Sequence, residues 1–377
     1  MKSLKQQLTS QITVPKMPAL AWLKEMALWP LLDVRSEGEF QEGYIPGSIS
    51  APILNNEERH QVGITYKQKG QSAAIALGLS LVESHRELRI EGMLKNITSS
   101  VAVSCWRGGL RSRFASGWLQ DARKDSLNVV QITGGYKAIR NQLLTVINTP
   151  REMWIVGGMT GSGKTILLKE LELDTRFPIS QVLDLEGMAS HRGSSFGNNV
   201  SSSGEKIKQP RQQTFENLMG LHLFKSNGPI VVENESTLIG QVFIPEGFRS
   251  QMRLAPVVVL ETPVLERVLA IFKEYVEAPI QAGCSPEKLW NILEGNIKVL
   301  ERRLGGKETS ELLKHLKDGG SDPLNLERQT TWIQPLLERY YDKAYTRSSQ
   351  LAQRNVVFTG DKTECKDWLC DQMAKRN

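Results

Sequence analysis

The sequence has no long apolar segment. Across its 377 residues, no uninterrupted hydrophobic run approaches the roughly 18 to 20 residues that a transmembrane helix requires. Met1 to Ser10 also lacks the basic and apolar regions of a secretory signal peptide. The first absence excludes a membrane-spanning helix, and together the two predict a cytoplasmic protein with no membrane partner.

Cysteine is scarce, with Cys105, Cys284, Cys365 and Cys370 as its four examples. They are scattered without metal-ligand spacing, and the last two stand five positions apart rather than in a C-x-x-C pair. This scarcity excludes a disulfide framework, so we expect reduced thiols.

Extremes of composition are also missing. The chain is 40% hydrophobic and 23% charged, which is ordinary for a globular protein, and nothing in it is repetitive. Its length predicts two or three domains and a sizeable core. The net charge of +6 is weak evidence for a polyanionic partner such as nucleic acid, because many proteins of this balance bind none.

One glycine-rich turn organises what is present. Gly158 to Thr165 fits the pattern G-x-x-x-x-G-K-[ST] and follows the apolar run Trp154-Ile155-Val156. In such a loop, backbone N–H groups point at an anion, the lysine adds a charge and the next helix adds its positive end. The alternative is a loop without a ligand. The predicted phosphate-binding residues are Gly158, Gly161, Ser162, Gly163, Lys164 and Thr165, and the Thr165 hydroxyl is a candidate magnesium ligand.

Five short apolar runs predict a doubly wound parallel sheet around this loop. They are Met153 to Val156, Gln181 to Leu185, Pro229 to Glu233, Pro256 to Leu260 and Asn355 to Phe358. Between Pro263 and Tyr345, apolar residues repeat with helical spacing. We therefore predict a P-loop NTPase-like domain at residues 150–377, with a helical subdomain at about 263–345. A short connector at residues 141–152 is predicted to lead into this domain.

Short strands alternate with helices in the first part of the chain. Leu31 to Val34, Val101 to Val103 and Val129 to Ile132 are apolar enough for buried strands, and residues 73–95 have helical spacing. This alternation predicts a compact parallel α/β domain.

The strand ending at Val103 delivers Cys105 onto a glycine- and arginine-rich loop. Backbone N–H groups and nearby arginines would favour a thiolate there, so Cys105 is the candidate nucleophile. The alternative is a buried structural cysteine. The predicted anion loop comprises Trp106, Arg107, Gly108, Gly109, Leu110 and Arg111.

Further polar residues follow the predicted strands of the second domain. The candidate contacts for a second site are Asp184, Glu186, His191, Arg192, Glu233 and Glu235. The acidic residues at strand ends, Asp184, Glu233 and Glu235, would either bind magnesium or cap a helix, and the sequence favours neither role. The pair Asp33 and Arg35 is more typical of a structural role than of a chemical one.

The first domain resembles the rhodanese family over about residues 14–140. The resemblance rests on Leu32 to Arg35, Glu39-Phe40, Gly43 to Ile49, the cysteine loop and Gly134-Gly135-Tyr136. In that family, the cysteine matching Cys105 carries a persulfide. Here Arg111 stands six residues after the cysteine rather than five, and the loop is similar to that of cysteine phosphatases. The wider loop suggests a phosphorus-bearing donor instead of thiosulfate.

Nearly the whole chain resembles the tRNA 2-selenouridine synthases. The motifs are Tyr66 to Gly70, Asp184 to Gly197 and Glu233 to Ser236, beside the two loops. The resemblance implies a transferase that replaces the sulfur of wobble 2-thiouridine in tRNA by selenium from selenophosphate, and that geranylates this sulfur from geranyl diphosphate. We expect no tightly bound cofactor, and the selenophosphate-producing enzyme is a candidate partner. With these substrates, the side chain of Trp106 would stack on a base or an isoprenoid, or would only anchor the loop.

Other functions stay open on the residues alone. The P-loop would hold geranyl diphosphate, or ATP or GTP. One alternative is a sulfurtransferase or cysteine phosphatase regulated by a nucleotide-binding P-loop domain. Another is a nucleotide-dependent RNA-binding module without catalysis.

Overall fold

The computed structural model describes residues 13–95, 97–123, 126–191, 208–349 and 353–376. The described residues divide into two compact units, one within Met1–Val146 and Glu216–Leu221 and the other within Ile147–Phe215 and His222–Asn377. No helix in the described ranges is both long enough and apolar enough to cross a membrane.

The first unit is built on a parallel sheet with the strand order β1-β5-β4-β2-β3. Its strands are β1 Lys16–Pro18, β2 Leu31–Asp33, β3 Ile49–Ser50, β4 Ser100–Ser104 and β5 Asn128–Thr133. Val101, Ala102 and Val103 of the central strand are 0% exposed, as in a parallel sheet covered on both faces. The predicted parallel α/β architecture of this part is confirmed.

Helices connect these strands. They are α1 Ala19–Glu25, α2 Glu37–Glu42, α3 Asn56–Glu83, α4 Arg86–Leu94, α5 Leu110–Ala122 and α6 Gly135–Asn148. The helix expected at residues 73–95 is therefore longer and divided. Helix α3 begins after Asn55, whose side chain forms a capping box with Glu58, and it is broken at Gly70, where φ is 83°. Sequence reasoning missed its first half because residues 56–72 are mostly polar and lack apolar periodicity.

The predicted connector at residues 141–152 is wrong over most of its length. Helix α6 continues to Asn148, which leaves residues 149–152 as the link. Ile139, Leu143 and Ile147 are all 0% exposed. Their spacing of four residues puts them on one buried stripe of the helix.

The second unit contains a parallel sheet with the order β12-β11-β6-β8-β7 and a separate antiparallel hairpin, β9–β10. The strands are β6 Met153–Gly157, β7 Val182–Leu183, β8 Ile230–Glu233, β9 Leu238–Ile239, β10 Val242–Phe243, β11 Val257–Leu260 and β12 Val356–Gly360. The predicted P-loop sheet is confirmed, since its five strands fall within or overlap the five apolar runs. Because β6 lies between β11 and β8, the loop that follows it opens at the centre of the sheet edge.

Helices around this sheet fall into two groups. Those interleaved with the strands are α7 Lys164–Leu173, α8 Leu185–Ala189, α9 Gln212–Lys225, α10 Glu246–Leu254 and α18 Lys362–Ala374. The predicted helical insertion is confirmed and comprises α11 Val264–Phe272, α12 Ala278–Gln281, α13 Pro286–Val299, α14 Glu301–Leu304, α15 Gly306–Gly319, α16 Leu326–Leu336 and α17 Asp342–Ser349. Leu289, Leu293 and Ile297 share the buried face of α13 and belong to one apolar cluster with Trp332.

A buried ion pair follows β2. The Arg35 Nε lies 3.0 Å from each carboxylate oxygen of Asp33, and its Nη2 donates to Asp33 and to the Gly43 carbonyl at 2.7 Å. The two side chains are 1% and 0% exposed. With its charges paired and its hydrogens directed at fixed acceptors, the pair supports the backbone at residues 33–43.

We expect Arg35→Met to destabilise the first unit by about 3–5 kcal/mol, because it leaves the Asp33 carboxylate buried without its cation. The measurement is the calorimetric unfolding transition of that unit. Arg86→Met is the matched control, since the pair of Arg86 with Glu83 is 36% and 71% exposed and such pairs contribute little. Equal effects of the two substitutions would contradict a structural role for the buried pair.

Candidate functional site

The first candidate site is the turn between β4 and α5. Cys105 directly follows the strand and is 3% exposed. Its Sγ accepts a hydrogen bond from the Gly109 N–H at 3.2 Å and lies 3.2 Å from Ser112 Oγ. Donors of this kind at a helix N-terminus favour negative charge. The sulfur is therefore placed where an anionic group is stabilised.

Two glycine turns pack against each other beneath this sulfur. Gly108 and Gly135 have φ values of 63° and 58°. A Cβ atom on Gly135 would lie 2.0 Å from the Cys105 carbonyl oxygen, and one on Gly108 would lie 2.5 Å from that of Ile132. The Tyr136 N–H closes the contact by donating to the Cys105 carbonyl at 2.9 Å. A side chain at either glycine would separate the turns.

Gln131 holds the cysteine loop from below. Its Nε2 lies 3.0 Å from the carbonyl oxygens of Gly108 and Gly109 and 2.8 Å from Ser112 Oγ. When Gln131 donates to Ser112, the hydroxyl hydrogen of Ser112 is directed at either the Gly109 carbonyl or the cysteine sulfur. Sequence reasoning missed Gln131, which lies in β5 and is 2% exposed.

Arg111 is already paired within the protein. Its guanidinium makes a two-pronged ion pair with Glu39, one prong being 3.1 Å long. Burial raises the pKa of Glu39, but the hydrogen bond and charge of Arg111 outweigh this and lower the pKa overall. The sequence predicted Arg111 beside the anion but did not show its partner. Arg107 is exposed, and Leu110 is half-buried at the start of α5.

The second candidate site is the loop between β6 and α7. Gly158, Gly161 and Gly163 have φ values of 150°, 78° and 90°, which L side chains rarely adopt. The Lys164 Nζ donates to the carbonyl oxygens of Gly158 at 2.9 Å and Met159 at 3.3 Å. The loop thus has the curled backbone that the sequence predicted, with the lysine folded over it.

The helical insertion contacts this loop through Tyr345 of α17 and Arg267 of α11. The Gly158 N–H donates to Tyr345 Oη at 2.7 Å, and the Lys164 Nζ lies 5.9 Å from the centre of the Tyr345 ring. Asp342 pairs with Arg267, which is 3% exposed and donates from Nε to the Thr160 carbonyl at 2.9 Å. Sequence reasoning missed these contacts, since no local motif marks Tyr345 or Arg267.

Three glutamates cluster beside Thr165. The Thr165 Oγ1 donates to the Glu186 carboxylate at 3.1 Å, and the Glu186 N–H donates to Glu233 at 2.7 Å. Burial and the charge of Glu235 raise the pKa of Glu186 to about 8. Burial, with Glu186 as neighbour, raises the pKa of Glu233, and burial raises that of Glu235. These groups hold protons where an exposed carboxyl would not.

The remaining predicted contacts have separate roles. Asp184 caps α8 by accepting from the Gly187 N–H at 2.6 Å, which is the capping alternative weighed from the sequence. His191 is 7% exposed and burial lowers its pKa, which favours the neutral form of its imidazole ring. Ser162 is 5% exposed within the P-loop. Arg192 lies outside the described residues.

Metal binding has a limited basis in the described part of the chain. Among those residues, no group of three His, Cys, Asp or Glu side chains forms a metal-ligand set. Glu233 Oε2 is nevertheless buried without a hydrogen-bond partner. The oxygen donors of Thr165 and Glu186 are the type that Mg²⁺ prefers, usually together with water and phosphate oxygens.

Comparisons with known proteins match both units. Residues 19–142 match the model of the rhodanese-like domain, and residues 151–376 match that of the tRNA 2-selenouridine synthase AAA domain. Relatives named tRNA 2-selenouridine synthase occur in Shewanella sp. (strain MR-7), at 35% identity over 92% of this chain and 95% of the relative. Others are from Shewanella loihica, at 36% over 92% and 94%, and Serratia proteamaculans, at 36% over 90% and 92%.

The two loops and these matches define an enzyme in which a rhodanese-like domain with a loop cysteine precedes a P-loop domain. The fold and both sites therefore assign the chain to this class of enzyme. The chain belongs to the tRNA 2-selenouridine synthase family.

We expect Glu186→Gln to stabilise the protein above about pH 8. The pKa of Glu186 is about 8 in the folded chain against a usual value of 4.5, so the folded state binds the proton more tightly. The stability that protonated Glu186 contributes is fully present below pH 4.5 and is lost as the pH rises to about 8. The stability of the variant should not decline between pH 4.5 and about 8. Thermal unfolding measured across this range tests the expectation.

The control for this substitution is Glu246→Gln. Hydrogen bonds from Arg249 and Arg253 lower the pKa of Glu246, which is the opposite shift, so this variant should gain no stability at high pH. An unchanged pH dependence in Glu186→Gln would contradict the protonated carboxyl.

Proposed function

We propose that the protein replaces sulfur by selenium in wobble 2-thiouridine of tRNA, with one reaction step at each loop. The observation that carries the proposal is the presence of two different anion loops in one chain of this family. One surrounds a buried cysteine, and the other carries a lysine over a curled glycine backbone. A nucleophile and a diphosphate site are what the two steps require.

The first step is geranylation at the P-loop. A thiocarbonyl sulfur is a poor leaving group until it is alkylated. The sulfur attacks C1 of geranyl diphosphate, the C–O bond breaks, diphosphate leaves with the electron pair, and the base loses its N3 proton. Lys164 and the loop N–H groups would stabilise the departing charge, which lowers the barrier. The family resemblance supports this donor.

The second step is selenation at the cysteine loop with selenophosphate as donor. Cys105 Sγ would attack phosphorus, so that the Se–P bond breaks and hydrogen selenide leaves. The selenide then adds to C2 of the geranylated base and expels the geranyl thiolate, its proton passing to N3. Water removes the phosphoryl group from the sulfur. The Gly109 N–H, close to Sγ, and the two arginines of the loop support binding of a tetrahedral anion.

Magnesium fits the P-loop as an accessory ion. Thr165 and Glu186 would hold it with oxygen ligands, and it would supply charge neutralisation of the diphosphate. Lys164 acts independently by binding and orienting that anion. The selenophosphate-producing enzyme remains a proposed partner, as a source of the second donor.

We expect Cys105→Ser to abolish selenation and to leave geranylation of thiolated tRNA largely intact, because only the selenium step needs the soft nucleophile. Nucleoside mass spectrometry of treated tRNA measures both products. Cys284→Ser is the control, because Cys284 is buried in the other unit. Selenation at the wild-type rate by Cys105→Ser would reject the role of this residue.

We expect Lys164→Ala to slow geranyl transfer on the order of a hundredfold, about 3 kcal/mol, by removing one preorganised contact to the leaving group. Binding of tRNA and selenation of tRNA that is already geranylated should change little. Lys169→Ala is the control, because Lys169 is an exposed lysine of the same helix.

The nucleotide requirement separates this proposal from its alternative. Geranyl transfer should proceed without ATP, and inorganic diphosphate should compete with geranyl diphosphate. Strict dependence on ATP hydrolysis, or normal transfer by Lys164→Ala, would return the P-loop to a nucleotide site and favour a nucleotide-regulated sulfurtransferase or phosphatase.

A further inference from the structure

Trp106 places a large aromatic ring at the protein surface directly beside the buried cysteine. The residue is 37% exposed, whereas its neighbour Cys105 is 3% exposed. The rest of the loop adds little apolar surface around the ring, since Arg107 and Gly109 are exposed and polar or small. The exposed part of the ring is therefore bordered within its own loop by a charged and a small residue.

The Trp106 ring is held from beneath. The ring centre of Trp106 lies 5.6 Å from that of Tyr136, with 28° between the planes. The guanidinium carbon of Arg35 lies 3.7 Å from the Tyr136 ring centre and 6.0 Å from the Trp106 ring centre. Arg35 is itself fixed by Asp33 and the Gly43 carbonyl. Stacking and cation–π contacts of this kind restrict both rings.

The backbone of Trp106 is fixed as well. Its carbonyl accepts from the Lys137 N–H at 3.1 Å, and the carbonyl of Cys105 accepts from the Tyr136 N–H at 2.9 Å. Because Trp106 follows Cys105 in the chain, the two Cα atoms are about 3.8 Å apart. The indole is therefore anchored in the same turn as the sulfur.

We infer that Trp106 is the stacking platform for the nucleobase that receives selenium. To bind there, this base would leave the base stack of the RNA. This inference rests on the proposed function, in which an RNA base reacts at Cys105. A base suits the surface better than the geranyl chain does, because a flexible apolar chain gains most in an enclosed apolar site. Exposed Arg107 and the net charge of +6 also favour a ligand that carries phosphates.

The first test compares Trp106→Leu and Trp106→Phe. The ligand is an anticodon stem-loop RNA with geranylated 2-thiouridine at the wobble position. Because a stacked base contributes strongly to binding, the leucine variant should weaken RNA binding and raise KM roughly ten- to hundredfold. The phenylalanine variant should recover most of this loss. Alkylation of Cys105 by iodoacetamide should be unchanged in both, which shows that the loop remains folded.

Trp29→Leu is the matched control, since Trp29 is half-buried in the same unit and outside the cysteine loop. It should leave RNA binding unchanged. A raised KM for geranyl diphosphate in Trp106→Leu, with normal RNA binding, would assign the platform to the prenyl chain and overturn the inference.

The second test is photocrosslinking of a stem-loop RNA of the same sequence in which 5-iodouridine replaces geranylated 2-thiouridine at the wobble position. We expect the crosslink at Trp106, located by mass spectrometry of the digested complex. Binding of the RNA with crosslinks only elsewhere, or normal binding by Trp106→Leu, would reject the platform but leave the proposed function standing. Failure of the wild type to bind the RNA at all would reject both.

Discussion

Parallel pairing of short buried strands is the constraint on which both candidate sites depend. Such strands bury both faces, so ligand-binding groups are placed mainly in the loops at their ends. Strands β4 and β6 each lie inside their own sheet and each leads into a loop at a helix N-terminus. Cys105 directly follows β4 and Lys164 begins α7, so both lie in strand-to-helix connections where N–H groups and helix dipoles favour anions.

The two sites compensate charge in different ways. Arg111 is paired with Glu39, whereas Lys164 is bound by the backbone carbonyls of its own loop. An anion entering either loop would have to replace part of these contacts, so its net binding energy is smaller than its gross electrostatic attraction. This exchange favours ligands with several charged oxygens, as both proposed donors have.

The interior supports these loops with several hydrogen-bonded polar side chains. The pair Asp33–Arg35 extends to Tyr136 and Trp106 through ring contacts, and Gln131 reaches Ser112. In the second unit, Arg267 connects the insertion to the P-loop. Preorganised groups of this kind keep a loop in its binding geometry before the ligand arrives. Substitutions behind a loop should therefore affect its chemistry without touching the substrate.

The sequence by itself determined the two loops, the buried strands and the helical insertion. Each is a local pattern, because Gly158 to Thr165 and Cys105 to Arg111 are contiguous and apolar runs mark parallel strands. The first half of α3 was not predicted from the sequence, because it lacks apolar periodicity. The end of α6 was not predicted either, because the buried apolar stripe of this helix continues past the expected end. Only the tertiary structure decided that Glu39 pairs with Arg111, 72 residues away, and that Tyr345 contacts Gly158 across 187 residues. The physical reason is that hydrogen bonds and ion pairs act at about 3 Å in space, a distance that sequence separation does not encode.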